Sequence, residues 1–429
     1  MPYVLQNGNE FNDSDSYQSQ ALARTEEQNG IEQMADSKIV QYYVLFCIYT
    51  ATYAVPNVIT DMDERFDSLS VFPGWTGNSG WTSNILDPCP PDVSGEGNFD
   101  GIECENGKVV ALQLNERLLT GVFPSEVTLL ASDGPAATGA GDLQTIDLFS
   151  NPFLYNNEDN SWMEFLGSSL GTFQMPTFCG DPFRLFSNLL FQPFFCLART
   201  IVNLFFKGTP FAGDLPRLPS GLEEFDCSYS LISGGLVNEN LQNLQNLVFF
   251  DASGCSLNQK VPSVFSSLPN LQYLYLSDSF ITGDLSYMEG MTSMIEHWVD
   301  LNPDFGGTIP SFIGDITTLG SFSVTQSQLV GPLPEEFGKL FQMESLWFYG
   351  NQLTGTIPTV YGTGMSRIKA LRVESNLLVG TIPASICSKR TTAFPGGNLQ
   401  VLGGDYSRLA VSYSFVLLCV CVCAKWVIQ

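Results

Sequence analysis

Residues 244–383 repeat themselves at a nearly fixed interval, and that interval constrains the fold more than any other feature of the chain. The segment Gly350-Asn351-Gln352-Leu353-Thr354-Gly355-Thr356-Ile357-Pro358 recurs on both sides. Aligned on its asparagine, Cys255, Ser279, Pro303, Ser327, Asn351 and Asn376 form one column, with steps of 24, 24, 24, 24 and 25 residues. A period of that size specifies a solenoid, because one unit is too small to bury its own apolar edge and must stack on its neighbours. Apolar residues stand five and three positions before the column and two after it, with Gly four after and often Pro seven after. The best copies are Leu346/Phe348/Asn351/Leu353/Gly355/Ile357/Pro358 and Leu371/Val373/Asn376/Leu378/Gly380/Ile382/Pro383.

Each position in this pattern has a physical role. The alternating pair Leu346 and Phe348 points inward from a short strand while Trp347 points out. An Asn at the turn can bond backbone groups of its own and the adjacent coil, which Ser, Thr or Cys replaces only in part. The Gly relaxes the bend, and the Ile-Pro step suits an extended return segment rather than a helix. These residues resemble the plant-type leucine-rich repeat, LxxLxxLxLxxNxLxGxIP. The resemblance covers roughly residues 70–390 and implies an α/β solenoid: a curved, right-handed superhelix with a parallel β-sheet on its concave face and an amino-terminal cap. It also points to receptor-like proteins and polygalacturonase-inhibiting proteins, whose repeats bind partners.

Ahead of the repeats, residues 1–37 are acidic and poor in large apolar side chains, and are expected to be disordered. No basic segment followed by an apolar core opens the sequence, so a standard secretory signal is not expected at residue 1. Residues 38–108 are expected to form the cap. Within them, residues 39–55 are either a short membrane segment or an amphipathic helix that covers the first coil. Ile48-Tyr49-Thr50-Ala51-Thr52 looks like the LYxAT of the cap in leucine-rich-repeat proteins of algae and protists, which favours the cap. Gly74-Trp75, Gly80-Trp81, Asp87-Pro88-Cys89 and Gly101-Ile102-Glu103-Cys104 look like the plant-type flanking pattern. That likeness implies a Cys89–Cys104 disulfide and passage through the secretory route; two free thiols are the alternative.

The solenoid is expected over residues 109–386, in ten repeats whose columns fall at 117, 151, 209, 230, 255, 279, 303, 327, 351 and 376. The period is lost near 155–200, a Phe-rich stretch that suits an irregular insertion or poorly translated sequence. Residues 387–408 suit a closing segment, and the apolar tail 409–429 has three readings: a membrane anchor, a lipid-anchor signal, or the product of an altered reading frame.

Composition narrows the function classes. A formal net charge of −26, from 18 Lys and Arg against 44 Asp and Glu, argues against nucleic-acid binding, which needs a basic footprint. No catalytic centre, metal site or cofactor is expected. His297 is the single histidine and is expected on a coil surface; Asp304-Phe305-Gly306 matches the kinase triplet by letter only, without its companion motifs. A general acid/base pair from Glu335-Glu336 is equally unsupported, since adjacent acids are common on exposed segments.

Binding is better supported. The residue four before each column should lie on the concave strand surface, giving Gln113, Asp147, Phe205, Asp226, Asp251, Tyr275, Val299, Ser323, Trp347 and Arg372. Phe249, Tyr273 and Tyr349 flank that row. The expected ligand site is Phe249, Tyr273, Tyr275, Trp347 and Tyr349, with Asp226 and Asp251 supplying charge selection, because exposed aromatics bury large area at small entropic cost. The alternative for these rings is stacking against side chains of neighbouring strands. A protein, peptide or glycan ligand and a signalling co-receptor are the expected partners, with membrane contact through the tail and a membrane-associated or extracellular location. A structural or adhesive surface protein, or a cytoplasmic scaffold, is the alternative. The repeats contain no Asn-x-Ser/Thr sequon, which weighs against the outside of the cell.

Overall fold

A computed structural model of the chain describes residues 16–28, 30–52, 80–81, 87–130, 141–151, 153–155, 201–215, 217–389 and 401–403. The Phe-rich insertion beyond 155, the Gly74-Trp75 pair and the apolar tail lie outside the described residues. The chain divides into two compact units, one through Gly235 and one from Leu236.

The first unit holds the cap. Helix Asp36–Thr52 is buried from Val40 through Tyr49 and packs against the Thr120–Val122 strand and the Ser125–Leu130 turn of the first repeat. The polar groups of its first turns are satisfied inside the unit. Lys38 Nζ donates to Asp87 Oδ1 at 2.8 Å and Gln41 Nε2 donates to the Gly107 carbonyl at 2.7 Å. Gly121, at φ +83°, lies so close to this helix that an added Cβ would fall 2.6 Å from the Ala51 carbonyl, so no larger residue fits the junction. Of the segment 39–55, residues 39–52 lie in this helix and residues 53–55 lie outside the described residues; among the described residues no helix is long and apolar enough to cross a membrane.

Two expectations about the start of the chain need revision or hold in a specific form. Part of the segment 1–37, expected to be disordered, is ordered: Tyr17–Glu26 forms a helix capped by Ser16. Its Tyr17 hydroxyl donates to the buried Glu126 carboxylate at 2.9 Å. Arg24 places its guanidinium over the Phe46 and Tyr49 rings, at 4.7 and 4.9 Å. The face this helix buries is small and mostly polar, Gln18, Ala21 and Thr25, so no apolar periodicity announced it. Cys89 and Cys104 form the expected disulfide, and Trp81 stacks on Tyr49 and donates from Nε1 to the Asp100 carbonyl at 2.8 Å.

Beyond the cap, Gly95–Glu96, Ile102–Glu105 and Lys108–Gln113 pair antiparallel. The sheet then continues in parallel through Gly141–Asp147, Asn203–Phe205 and Glu224–Asp226. The antiparallel ribbon protects the first edge of the parallel sheet.

The second unit is the regular ladder. Phe249–Asp251, Tyr273–Tyr275, Glu296–Trp298, Ser321–Ser323, Ser345–Trp347, Ala370–Arg372 and Val401–Gly403 form a parallel sheet in unbroken register. A second parallel sheet runs through Gly283–Asp284, Phe305–Thr308, Gln328–Pro332, Gln352–Gly355 and Leu377–Leu378. It is made by the extended segment after each column residue, and short 3-10 turns such as Ser311–Asp315 and Glu335–Lys339 complete the coils. Phe250, Leu274, His297, Phe322, Leu346 and Leu371 form one buried row between them.

The column bonds as its chemistry requires. Asn351 donates from Nδ2 to the carbonyls of Val324 and Phe348, at 2.7 and 3.0 Å, and accepts from Leu329 N–H at 3.1 Å. In the middle of the ladder the column residue is Asn302, not Pro303. Its Nδ2 donates to the Leu276 and Val299 carbonyls, and its Oδ1 accepts from the Ser279 and Ile281 N–H groups. The even spacing of 24 is therefore an average across a short step of 23 from Ser279 and a long step of 25 to Ser327.

Candidate ligand-binding face

A one-residue slip in a strand exchanges its two faces, and the shift from Pro303 to Asn302 does this in one repeat. Val299, expected on the outer face, is fully buried, and Trp298 takes the outer position with 37% of its surface exposed. His297, expected on a coil surface, lies in the inner row with no exposure. Its Nδ1 is 2.9 Å from the Leu274 carbonyl and its Nε2 meets the Tyr287 hydroxyl. The carbonyl can only accept, so Nδ1 carries the proton and Nε2 accepts from Tyr287. Burial lowers its pKa to about 4, so the ring is neutral and enclosed, out of reach of any substrate. The signal for this register was present in the sequence: Val299 stands three before Asn302 as Phe348 does before Asn351.

With Trp298 in place the outer face of the second unit carries a continuous run of rings. Phe249 meets Tyr273 and Tyr275 at centroid distances of 6.3 and 5.6 Å. Tyr275 meets Trp298 at 5.1 Å, and Trp298 meets Trp347 at 6.4 Å with the two rings 23° from parallel. Ser323 stands between the two tryptophans in register and retains 1% exposure. Four of the five aromatic residues expected at the site belong to this run, and Trp298, missed from sequence, joins its two halves. Tyr349 lies apart from the run: Arg372 covers its ring at 4.1 Å and donates from Nε to Glu374 Oε1 at 2.7 Å.

Polar groups fix the rings. Tyr275 Oη donates to Glu296 Oε2 at 2.9 Å, and burial, followed by that bond to a carboxylate, pushes the phenol pKa upward. Trp298 Nε1 donates to Ser321 Oγ at 2.9 Å, whereas Trp347 Nε1 is buried without a partner. Asp300 Oδ1 accepts from Ser323 Oγ at 2.6 Å and Thr325 N–H at 2.7 Å.

The two aspartates expected to select charge also shape turns. Asp251 Oδ1 accepts from Ser253 N–H at 2.8 Å. Asp226, which belongs to the first unit, accepts from Ser228 N–H and Oγ at 2.9 and 2.6 Å, with Lys207 Nζ 3.9 Å from its other oxygen. Asp147 repeats the arrangement with Phe149 N–H at 2.9 Å; its carboxyl pKa is raised by burial, against the effect of that bond. Among the described residues no group of His, Cys, Asp and Glu is placed to hold a metal ion.

No protein-family model matches the chain. Receptor-like protein 35 of Arabidopsis thaliana is 30% identical over 186 residues, which is 42% of this chain and 19% of that protein. Receptor-like protein 18 of the same plant is 27% identical over 41% of this chain and 22% of its own length. The chain thus spans about a fifth of the curated relatives it matches. Among solved structures, the ectodomain of the Arabidopsis receptor kinase HAESA, in complex with an extended IDA peptide hormone, aligns with a TM-score of 0.53 at 20% identity, over 76% of this chain and 49% of that one. The GASSHO1/SCHENGEN3 ectodomain of Arabidopsis thaliana aligns at 0.52 and 21% identity, over 72% and 31%. Two parallel sheets climbing on an asparagine column give the chain a leucine-rich-repeat fold, similar over its repeats to Arabidopsis receptor-like proteins and to the ectodomains of plant receptor kinases.

Proposed function

We propose that the chain is a non-enzymatic recognition module that binds a protein or peptide through the outer face of the parallel sheet in its second unit. One observation carries this reading: the unbroken run from Phe249 through Tyr273, Tyr275 and Trp298 to Trp347 lies on solvent-facing strand positions. Aromatic rings so placed offer large contact area at small entropic cost, and they are over-represented where binding energy concentrates. The peptide hormone in the HAESA complex supports a peptide as partner, and the receptor-like relatives support a signalling co-receptor beside it. The Cys89–Cys104 disulfide supports an oxidising compartment, and with it a membrane-associated or extracellular site of action.

A second reading is favoured by the ring-to-ring contacts themselves, in which the aromatics stack as a purely structural ladder. The double variant Trp298→Ala/Trp347→Ala separates the two. Tagged protein returned to its native cells should lose partner capture in a crosslinking pull-down while its urea midpoint changes little. Retained capture together with a stability loss of about 1–2 kcal/mol would reject the binding reading in favour of the structural one.

A further inference from the structure

We infer that the partner of this face is a positively charged peptide segment, with an arginine or lysine side chain seated on Trp298. The inference rests on the reading of the sheet face as a binding surface and names the chemistry that face selects.

Trp298 is flanked along its own chain by Glu296 and Asp300, each two residues away. Alternate residues of an extended chain share a face, and the contacts place both acids on the outer side. Glu296 accepts a hydrogen bond from the Tyr275 hydroxyl and Asp300 accepts one from the Ser323 hydroxyl, and Tyr275 and Ser323 are outer-face neighbours of Trp298 in register. An exposed indole therefore lies between two carboxylates. The donors that reach these carboxylates are neutral O–H and N–H groups, so hydrogen bonding holds the acids in place without cancelling their charge. Asp251 adds a further carboxylate beside Tyr275. The cation described on this face, Arg372, is engaged by Glu374 and by the Tyr349 ring, and Lys369 at its margin pairs with Glu344.

Charge complementarity decides which occupant fits. A neutral apolar segment laid over Trp298 would strip water from Glu296 and Asp300 without replacing it, and an acidic one would meet like charge. A guanidinium or ammonium resolves both, since an indole face attracts a cation and the flanking acids accept its N–H groups. Arginine suits the seat better than lysine, because its planar head can stack on the ring and reach a carboxylate at once.

The test uses the full chain and three synthetic peptides that share their apolar residues and differ only at alternate positions, occupied by Arg, Gln or Glu. Binding is followed by tryptophan fluorescence and calorimetry at low and high salt. The Arg peptide should bind about tenfold tighter than the Gln peptide, the Glu peptide should not bind, and high salt should remove most of the difference. Trp298→Ala and Glu296→Gln should each weaken the Arg peptide severalfold. Trp298→Phe should retain most binding, and Glu335→Gln/Glu336→Gln, on the distant 3-10 turn, should change nothing. An Arg peptide no tighter than the Gln peptide overturns the inference. So does Arg binding that survives Trp298→Ala but falls in Glu335→Gln/Glu336→Gln, because that is attraction to the acidic surface at large. A Gln peptide that matches the Arg peptide and is lost in Trp298→Ala overturns the cation while leaving the face a binding surface. Failure of that broader reading would instead appear as partner capture unaffected by the Trp298→Ala/Trp347→Ala change.

Discussion

The cap of the first unit and the ladder of the second solve the same problem in different ways. In the ladder each coil is covered by a coil much like itself, so one row of inner side chains recurs, and Ser279, Asn302, Asn351 and Asn376 of the column each donate to a carbonyl of the preceding coil. The cap has no such neighbour beyond it and relies on contacts that occur once: Arg24 over Phe46 and Tyr49, Lys38 on Asp87, Trp81 against Tyr49 and Phe99, and the Cys89–Cys104 bridge. A repeated contact is tolerant of variation at one position. A single-use contact is not, and regions built from them are where sequence periodicity stops being informative.

The largest effects should come from truncating one buried ring in each region. Phe322→Ala and Trp81→Ala each remove a fully enclosed side chain and should cost about 3–5 kcal/mol. Their footprints should differ. Hydrogen exchange in Phe322→Ala should rise over the neighbouring coils on both sides, whereas in Trp81→Ala it should rise over residues 36–52 and 87–113 and leave 340–380 protected. Equal deprotection everywhere in both variants would mean that the two regions unfold as one body and that the contrast between them has no energetic content.

A smaller effect comes from the one polar interruption of the inner row. Burial lowers the His297 pKa from the ordinary imidazole value of 6.5 to about 4, and Tyr287 and Phe322 enclose the ring. Between those values the unfolded chain binds a proton here that the folded chain does not. The associated stability is complete above pH 6.5 and is lost as pH falls toward 4, by about 3 kcal/mol in all. His297→Leu/Tyr287→Phe, which removes both polar partners, should lose correspondingly less stability than wild type between urea titrations at pH 7 and pH 4.5. Carboxylates titrating elsewhere appear in both proteins and cancel. Identical losses would show that His297 is not the group responsible.

The smallest comparison tests the column itself. Asn351→Ala takes the amide partner from the Leu329 N–H and the Val324 carbonyl, while the Phe348 carbonyl keeps the Asn376 amide, and should cost about 2–3 kcal/mol, whereas Ser279→Ala, which removes bonds to the Ala252 and Ser277 carbonyls, should cost about 1 kcal/mol. Equal costs from urea midpoints would contradict the idea that Asn is the strong form of this position and Ser a partial substitute.

Much of the ladder was legible before any coordinates, because its information is local. Leu346, Phe348, Asn351 and Gly355 sit where period and alternation place them. So do Phe249, Tyr273, Tyr275 and Trp347, which spacing alone assigned to the outer face. The errors cluster where a count was averaged. Treating the step to Pro303 as regular placed Val299 outside and His297 on a surface, and it hid Trp298, the ring that joins Tyr275 to Trp347. The fold of Tyr17–Glu26 was missed for a different reason: its partners, Glu126, Phe46 and Trp81, are distant in sequence, and composition averaged over 37 residues does not report a ten-residue helix.

What the sequence determined by itself is the stack, since the apolar spacing, the Asn column and the Gly-x-Ile-Pro return segments each act within one coil or on its immediate neighbour. Tertiary structure alone decided the register around Asn302, the enclosure of His297, the arrangement of the cap, and the pairing of Trp298 with its flanking carboxylates. Those outcomes depend on which of two strand faces is buried, and a shift of one residue reverses that choice while leaving the repeat period almost unchanged.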